Sequence, residues 1–477
     1  MQLRSVRDSE TLRRDVFRLY YHDPRQCAYT VITTGQLVVL VLPILIFVVG
    51  LVLVPEDILI AFTLLFNVGL LSNITFHCIV ALTGARYGIE TPVSDEEVLA
   101  LAADELPMYT ILAPVYREAN MVGELISNLR ALDYPTDKLQ VLLLLERDDD
   151  ETLKAISATP LPENATIVVV PDSFPRTKPK ACNVGLSLAT GEYVTVFDVE
   201  DCPDPDQIKK AVVAFRKGSP TLFGVQAALN YSNVYDNFLT RMFTLEYLRW
   251  FGYSLVGLDR LRLPIPLGGT SNHLRTDVLR ELGGWDPYNM TEDADLGIRA
   301  SLNGYRISII NSTTYEQATN TLDNWIRQRS RWIKGYMQTG LVHLRNPTAL
   351  VQCLGIIRSL SVTLLLGGTV FTYLLGPVCG LLWFLSQLKV LDLHLPSSIG
   401  AIGMINLIVG NGIIVVLNSL AVSKRKYRRL IPFMFLEQVY WIFHSVAAYK
   451  ALWQLFVRPF FWEKTSKTNC RPISIQE

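Results

Sequence analysis

Apolar residues in this chain are gathered into blocks rather than spread evenly. Leu37–Val54 is an unbroken apolar run, long enough for one bilayer-spanning helix. After Pro55, Glu56 and Asp57, a second run covers Ile58–Leu82. It carries Asn67, Asn73 and His77, which are expected to face protein rather than lipid. The pattern then turns to that of an ordinary globular domain, and apolar runs return at Leu360–Leu388, Ile399–Val422 and Ile431–Phe456. The last contains His444 and Lys450 and reads equally as a span or as a helix lying in the interface. The first run starts too late, and is followed too closely by the second, to be a cleaved leader.

Between these blocks, strands alternate with helices. Tyr109–Tyr116 reads as a buried strand ending in a turn, and Ala119–Leu132 has helical periodicity through Met121, Leu125, Ile126 and Leu129. Further strands are expected at Gln140–Leu145, Ala165–Val170 and Tyr193–Phe197. Such alternation implies an α/β domain with a mainly parallel sheet, whose ligands sit at the carboxyl ends of the strands. Polar clusters fall at those ends: Tyr116, Arg117 and Glu118; then Glu146, Arg147, Asp148, Asp149 and Asp150; then Asp198, Glu200 and Asp201.

Composition supports the membrane reading. Half of the residues are apolar and only 18% are charged, with 44 basic residues against 44 acidic, a balance that gives no reason to expect nucleic-acid binding. The seven cysteines form no C-x-x-C pair and read as free thiols. Arg4, Arg7, Arg13, Arg14, Arg18 and Arg25 precede the first run, and Lys424, Arg425, Lys426, Arg428 and Arg429 follow the fourth. The Lys/Arg asymmetry puts the N-terminus, the central domain and the 424–429 loop in the cytoplasm of a protein integral to the plasma (inner) membrane. The expected layout is a basic interfacial segment at 1–36, two transmembrane helices at 37–84, a cytoplasmic domain at 88–350, a transmembrane region of two or three spans at 358–457 and a basic tail at 458–477.

Four constellations carry candidate chemistry. Asp198 and Glu200, just past a buried strand, suit a hard divalent cation bridging a diphosphate; the bland alternative is a solvated acidic turn. Lys178 and Lys180 suit phosphate neutralisation or a solvated surface. Thr291 would cap a helix opening with Glu292 and Asp293, or one of these carboxylates would take a proton from an acceptor hydroxyl. Gln328, Arg331 and Trp332 share one helix face, for a sugar ring and pyrophosphate or for a membrane surface.

The order of these motifs resembles the membrane-bound, processive branch of the family 2 glycosyltransferases, which holds cellulose, mixed-linkage glucan, chitin and hyaluronan synthases. It runs through Pro114–Glu118, the acids at 146–150, Lys180–Asn183, Asp198–Glu200, Gly268–Asn272, Thr291–Asp293 and Gln328–Trp332. The resemblance implies a glycosyltransferase A-type domain and an inverting transfer from a nucleotide sugar, UDP-glucose or similar, with Mg²⁺ or Mn²⁺. It implies that Tyr116 and Glu118 hold the nucleobase end and that Glu146 or Asp148 contacts uridine. Lys180 would stabilise the departing diphosphate. Asp198 and Glu200 would match the metal-binding D-x-D, with Asp201 a further candidate ligand. Asp293, with Glu292 beside it, would be the general base, and Gln328, Arg331 and Trp332 would line the acceptor and pyrophosphate site. Gly269, Thr270 and Ser271 would lie near the acceptor terminus. The acceptor implied is a growing β-linked polysaccharide passed through the spans; the alternative is transfer of one sugar to a lipid of the bilayer. A transporter or scaffold with a dead transferase domain would be expected to lack Asp198, Asp293 or Trp332, and all three are present.

Overall fold

The computed structural model describes residues 3–5, 9–390, 396–425 and 427–465. Among the described residues, nine strands form one sheet in the order β1-β4-β3-β2-β5-β8-β7-β9-β6. They are β1 Leu3–Ser5, β2 Tyr109–Val115, β3 Leu139–Glu146, β4 Ala165–Val170, β5 Tyr193–Val196, β6 Cys202–Pro203, β7 Leu222–Tyr231, β8 Asn272–Arg275 and β9 Arg306–Glu316. From β1 to β5 every pairing is parallel. β8 then runs antiparallel to both β5 and β7.

The run of leucines in β3 is buried on both faces, as a central parallel strand requires. Alternate residues divide between two cores: Leu112, Leu142, Leu144 and Val168 on one face, Ile111, Ala113, Leu143, Leu145 and Ile167 on the other. The expected strands thus stand within a residue or so of their read boundaries. The Ala119–Leu132 segment is a 3₁₀ turn, Ala119–Met121, leading into an α-helix, Val122–Arg130.

Among the described residues, four helices are long and apolar enough to cross a membrane: Thr34–Leu53, Pro55–Tyr87, Ile356–Gln387 and Ser397–Lys424. The first is closed at its N-terminus by a capping box between Thr33 and Gln36. The second starts on Pro55, where a missing N–H costs nothing, with Glu56 and Asp57 in its first turn. Its polar residues face protein: Asn73 donates to Thr372 at 3.5 Å, and Asn67 accepts from Asn406 at 3.1 Å. The ambiguous last run is a 3₁₀ segment, Arg428–Phe435, joined to the helix Glu437–Val457 with a bend of 68°.

The helix Leu322–His343 ties the domain to the apolar helices. Gln36 donates to the carbonyl of Leu341 at 2.6 Å, and buried Trp325 donates to Tyr440 of the last helix at 3.1 Å. The 458–477 segment, read as a basic tail, folds back onto the domain as far as it is described. Lys467 and Arg471 of that reading, with Arg7 and Lys426 of the charge pattern, lie outside the described residues.

Candidate active site

Because β8 is antiparallel to β5, its first residues lie beside the last residues of β5. That reversal brings Gly268–Ser271 onto the acids at 198–201. The Ser271 N–H donates to the Val196 carbonyl at 3.0 Å, and the Thr270 hydroxyl shares its one proton between that carbonyl and the Asp201 carboxylate. Asp201 accepts the Asp198 N–H at 2.6 Å. It is almost wholly buried, and burial with the charges of Asp198 and Glu200 pushes its carboxyl well above the ordinary range. Its Oδ1 has no hydrogen-bond partner.

Lys178, in the first turn of the helix Lys178–Leu188, lies 2.7 Å from Asp198 and donates to the Gly269 carbonyl. Burial opposes its charge, but Asp198, Asp293 and Glu292 hold its proton on. Lys180, which the resemblance assigned to the diphosphate, is elsewhere. It is 1% exposed, sits 3.0 Å from Glu146, and donates to the carbonyls of Pro171 and Ser173. Two residues along a helix is roughly a 200° rotation, so the two lysines cannot serve one site. Glu146 is consequently enclosed by its pairing with Lys180. Burial raises its carboxyl, and Lys180 only partly offsets this.

The helix Glu292–Leu302 begins at Thr291 as read, but the Thr291 side chain makes no cap; its hydroxyl contacts that of Thr339 at 3.3 Å. Gly335 permits this approach, since a Cβ there would come within 2.4 Å of the Thr291 methyl. Asp293 is buried, and its Oδ1 accepts from Trp285 Nε1 at 3.0 Å and from Asn272 Nδ2 at 3.4 Å. Its Oδ2 faces Gly269, whose Cβ would lie 3.9 Å away. Burial pushes its carboxyl up to about 6, against the pull of Lys178. Glu292 is raised well above its ordinary range by burial and by the charge of Asp293. Trp285 is aimed by the turn before it: Gly283 and Gly284 have φ of 85° and 72°, and a Cβ on Gly284 would strike Asn183.

The nucleobase candidates stand at the ends of β2 and β3. Tyr116 donates to Asp148 at 3.4 Å, Arg176 pairs with Asp148 at 3.0 Å, and Glu118 is buried nearby. Lys464 donates to the carbonyls of Tyr116 and Arg117 and lies 3.8 Å from Glu118. The segment 458–465 therefore runs from the last helix to the end of β2. Along it, Arg331 donates to the Glu463 carbonyl at 3.0 Å and stacks over Trp462. Burial lowers the Arg331 pKa, against the pull of Glu292, Asp198 and Glu200. Gln328 Oε1 is buried without a partner. Trp332 is half-buried, with the Arg329 guanidinium 4.8 Å over its ring and Tyr247 stacked beside it.

Asn272, Trp285 and the 458–465 segment are the candidates that sequence reasoning did not assign. Asn272 lay inside a quoted motif; of the two lysines read for phosphate, only the count of helical phase separates Lys178 from Lys180. Among the described residues, no group of three or more His, Cys, Asp or Glu side chains forms a cage for a metal.

Residues 107–335 match the family model described as Glycosyltransferase like family 2. Among curated relatives, the chain is 25% identical over 234 residues to the probable glycosyltransferase YdaM of Bacillus subtilis, which is 48% of this chain and 56% of that protein. It is 28% identical over 242 residues to the beta-monoglucosyldiacylglycerol synthase of Trichormus variabilis, 49% of this chain and 50% of that protein. The chain thus spans about half the length of the curated relatives it matches. Among solved structures, it resembles the mannosyltransferase PcManGT of Pyrobaculum calidifontis in complex with GDP-Man and Mn²⁺. The identity is 19% and the TM-score 0.50, over 82% of this chain and 99% of that one. Sheet order, clustered acids and family match agree: residues 107–335 fold as a domain similar to those of the family 2 glycosyltransferases, joined to helices long and apolar enough to cross a membrane.

Proposed function

We propose that the protein moves a single sugar from a nucleotide-sugar donor onto a hydroxyl of a membrane lipid, with inversion at the sugar carbon. The observation that carries the reading is the setting of Asp293. Its Oδ1 is held by two donors, its Oδ2 faces Gly269, and its helix is pinned through Thr291 and Gly335 to Leu322–His343, which touches the apolar helices. An acceptor hydroxyl delivered from the bilayer side would meet a carboxylate ionised above about pH 6.

Tyr116 and Asp148 would receive the base, while Lys178 and Arg331 supply positive charge toward the diphosphate. A divalent cation fits this donor set, because Mg²⁺ takes one or two carboxylates plus substrate phosphates rather than a full protein cage. Asp198, Glu200 and the unpartnered Oδ1 of Asp201 would hold it, and its chemistry would be to neutralise the leaving diphosphate. Asp293 takes the proton of the acceptor hydroxyl as that oxygen attacks, and Trp285 and Asn272 keep the carboxylate aimed.

Two observations favour a lipid over a growing polysaccharide. The relative from Trichormus variabilis is named for a glucosylated diacylglycerol. In addition, Trp332, the surface a polymer would stack on, is already covered by Arg329. The test is incubation of the full chain, in vesicles, with a panel of nucleotide sugars, divalent cations and candidate lipids. One sugar per lipid at every time and donor level supports the reading. An early ladder of long chains restores the polymer.

A further inference from the structure

The opposite end of the Asp293 helix opens on a second polar cavity, of about 180 Å³, lined by Arg262, Arg306, Arg358, Asp259, Ser301 and Tyr305 among others. The three arginines come from three elements. Arg262 follows the short helix Leu255–Arg260, Arg306 opens β9, and Arg358 lies in the first turn of the apolar helix Ile356–Gln387. Two carboxylates face them. Glu90 pairs with Arg262 and lies 3.5 Å from Arg306; Asp259 lies 3.3 Å from Arg306 and also accepts from Ser308 and the Ile309 N–H. Arg358 has no acidic partner among the described residues, so the cavity keeps an uncompensated guanidinium. Arg262 is held at a φ of 56°, a region non-glycine residues rarely adopt.

The surroundings say what kind of anion would come here. Ile356 and Ile357, between Gly355 and Arg358, are 74% and 76% exposed, and Leu360 is exposed one turn on. The second apolar helix ends at Tyr87, and Arg260 donates to the carbonyls of Tyr87, Gly88 and Ile89. Two membrane-length helices therefore end at this cavity, which sets it at the depth of lipid headgroups, with bare apolar side chains beside it for acyl chains. We propose that the cavity is a binding site for the phosphate of an anionic phospholipid, distinct from the transfer site. Arg358 carries the affinity, and Arg262 and Arg306 form the wall.

The test titrates the full chain, in neutral detergent micelles, with phosphatidylglycerol, phosphatidylcholine or inorganic phosphate, counting bound lipid by native mass spectrometry. Phosphatidylglycerol is expected to be retained over phosphatidylcholine. Arg358→Gln should weaken it by about fivefold, the effect of one basic side chain at an anionic surface. Ser301→Glu, which puts a carboxylate into the cavity and leaves every arginine in place, should weaken it at least as much. Equal retention of the two lipids overturns the proposal. So does an effect of Arg358→Gln without one of Ser301→Glu, which makes Arg358 an interfacial anchor only. Displacement by inorganic phosphate at equal concentration assigns the cavity to a free anion instead. A melting temperature of each variant within the wild-type range keeps misfolding out of the comparison.

Discussion

Two carboxylates in this molecule meet opposite fates. Glu246 is half-buried and gripped by Arg329, with Nη1 to Oε1 at 2.7 Å and a further hydrogen bond from Tyr440 at 3.0 Å. Burial pushes its carboxyl up, but Arg329 more than offsets this and holds it below the ordinary range. Asp293 is fully enclosed, yet Lys178 must serve Asp198 first, and the carboxyl rises to about 6. A charge with its own bidentate partner builds structure; a charge that shares a cation among several acids remains available for a proton.

The sharpest way to break this comparison is to neutralise each carboxylate's side of it. Asp293→Asn keeps the size of the side chain and should lower turnover by about 10²–10⁴-fold. Single-turnover product formation on the variant checks it, and turnover near wild type would remove Asp293 from the mechanism. Because the folded carboxyl is raised, ionising it costs the native state as pH climbs from the ordinary carboxylate range through about 6. The variant should therefore unfold at or above the wild-type temperature at pH 7.5 while being inactive.

Arg329→Met should do the reverse. It leaves the half-buried Glu246 without its bidentate partner and is expected to cost up to about 3 kcal/mol of stability, read as a fall in melting temperature in detergent. The sign with pH also reverses. The Glu246 pairing contributes fully above the ordinary glutamate range and is lost as pH falls through its lower folded value.

Lys178→Met sharpens the Asp293 side. Wild-type turnover should rise with pH through about 6. Removing the cation should move that inflection upward by about 1 pH unit or more, measured as turnover against pH at saturating donor. An unmoved inflection would separate Lys178 from the base. The smallest effect is expected at Trp332. Its replacement by Ala removes the ring over which Arg329 lies, a contact contributing about 0.5–2 kcal/mol, and should slow transfer without changing the product from a single-sugar glycolipid.

How much of this was legible beforehand differs between the two carboxylates. Asp293 stood in a readable acid pair at a helix start, and Asp198 followed a readable strand. Glu246 carried no signal, because its partner Arg329 is 83 residues away and had only its own helix face to be read from. The same limit hid the contact of Lys464 with Tyr116, separated by 348 positions, which brings residues 458–465 beside the site.

Local pattern determined the apolar runs, the strand–helix alternation and the placing of acids after strands, because burial imposes periods of two and 3.6 on neighbouring residues. It also determined that Asn67 and Asn73 needed protein partners. Tertiary structure alone decided which partners those were. It turned Lys178 rather than Lys180 toward Asp198, set Trp285 and Asn272 on Asp293, and bent the last apolar run by 68°. These depend on the rotational phase of a helix and on contacts between distant segments, and neither is written in the spacing of residues along the chain.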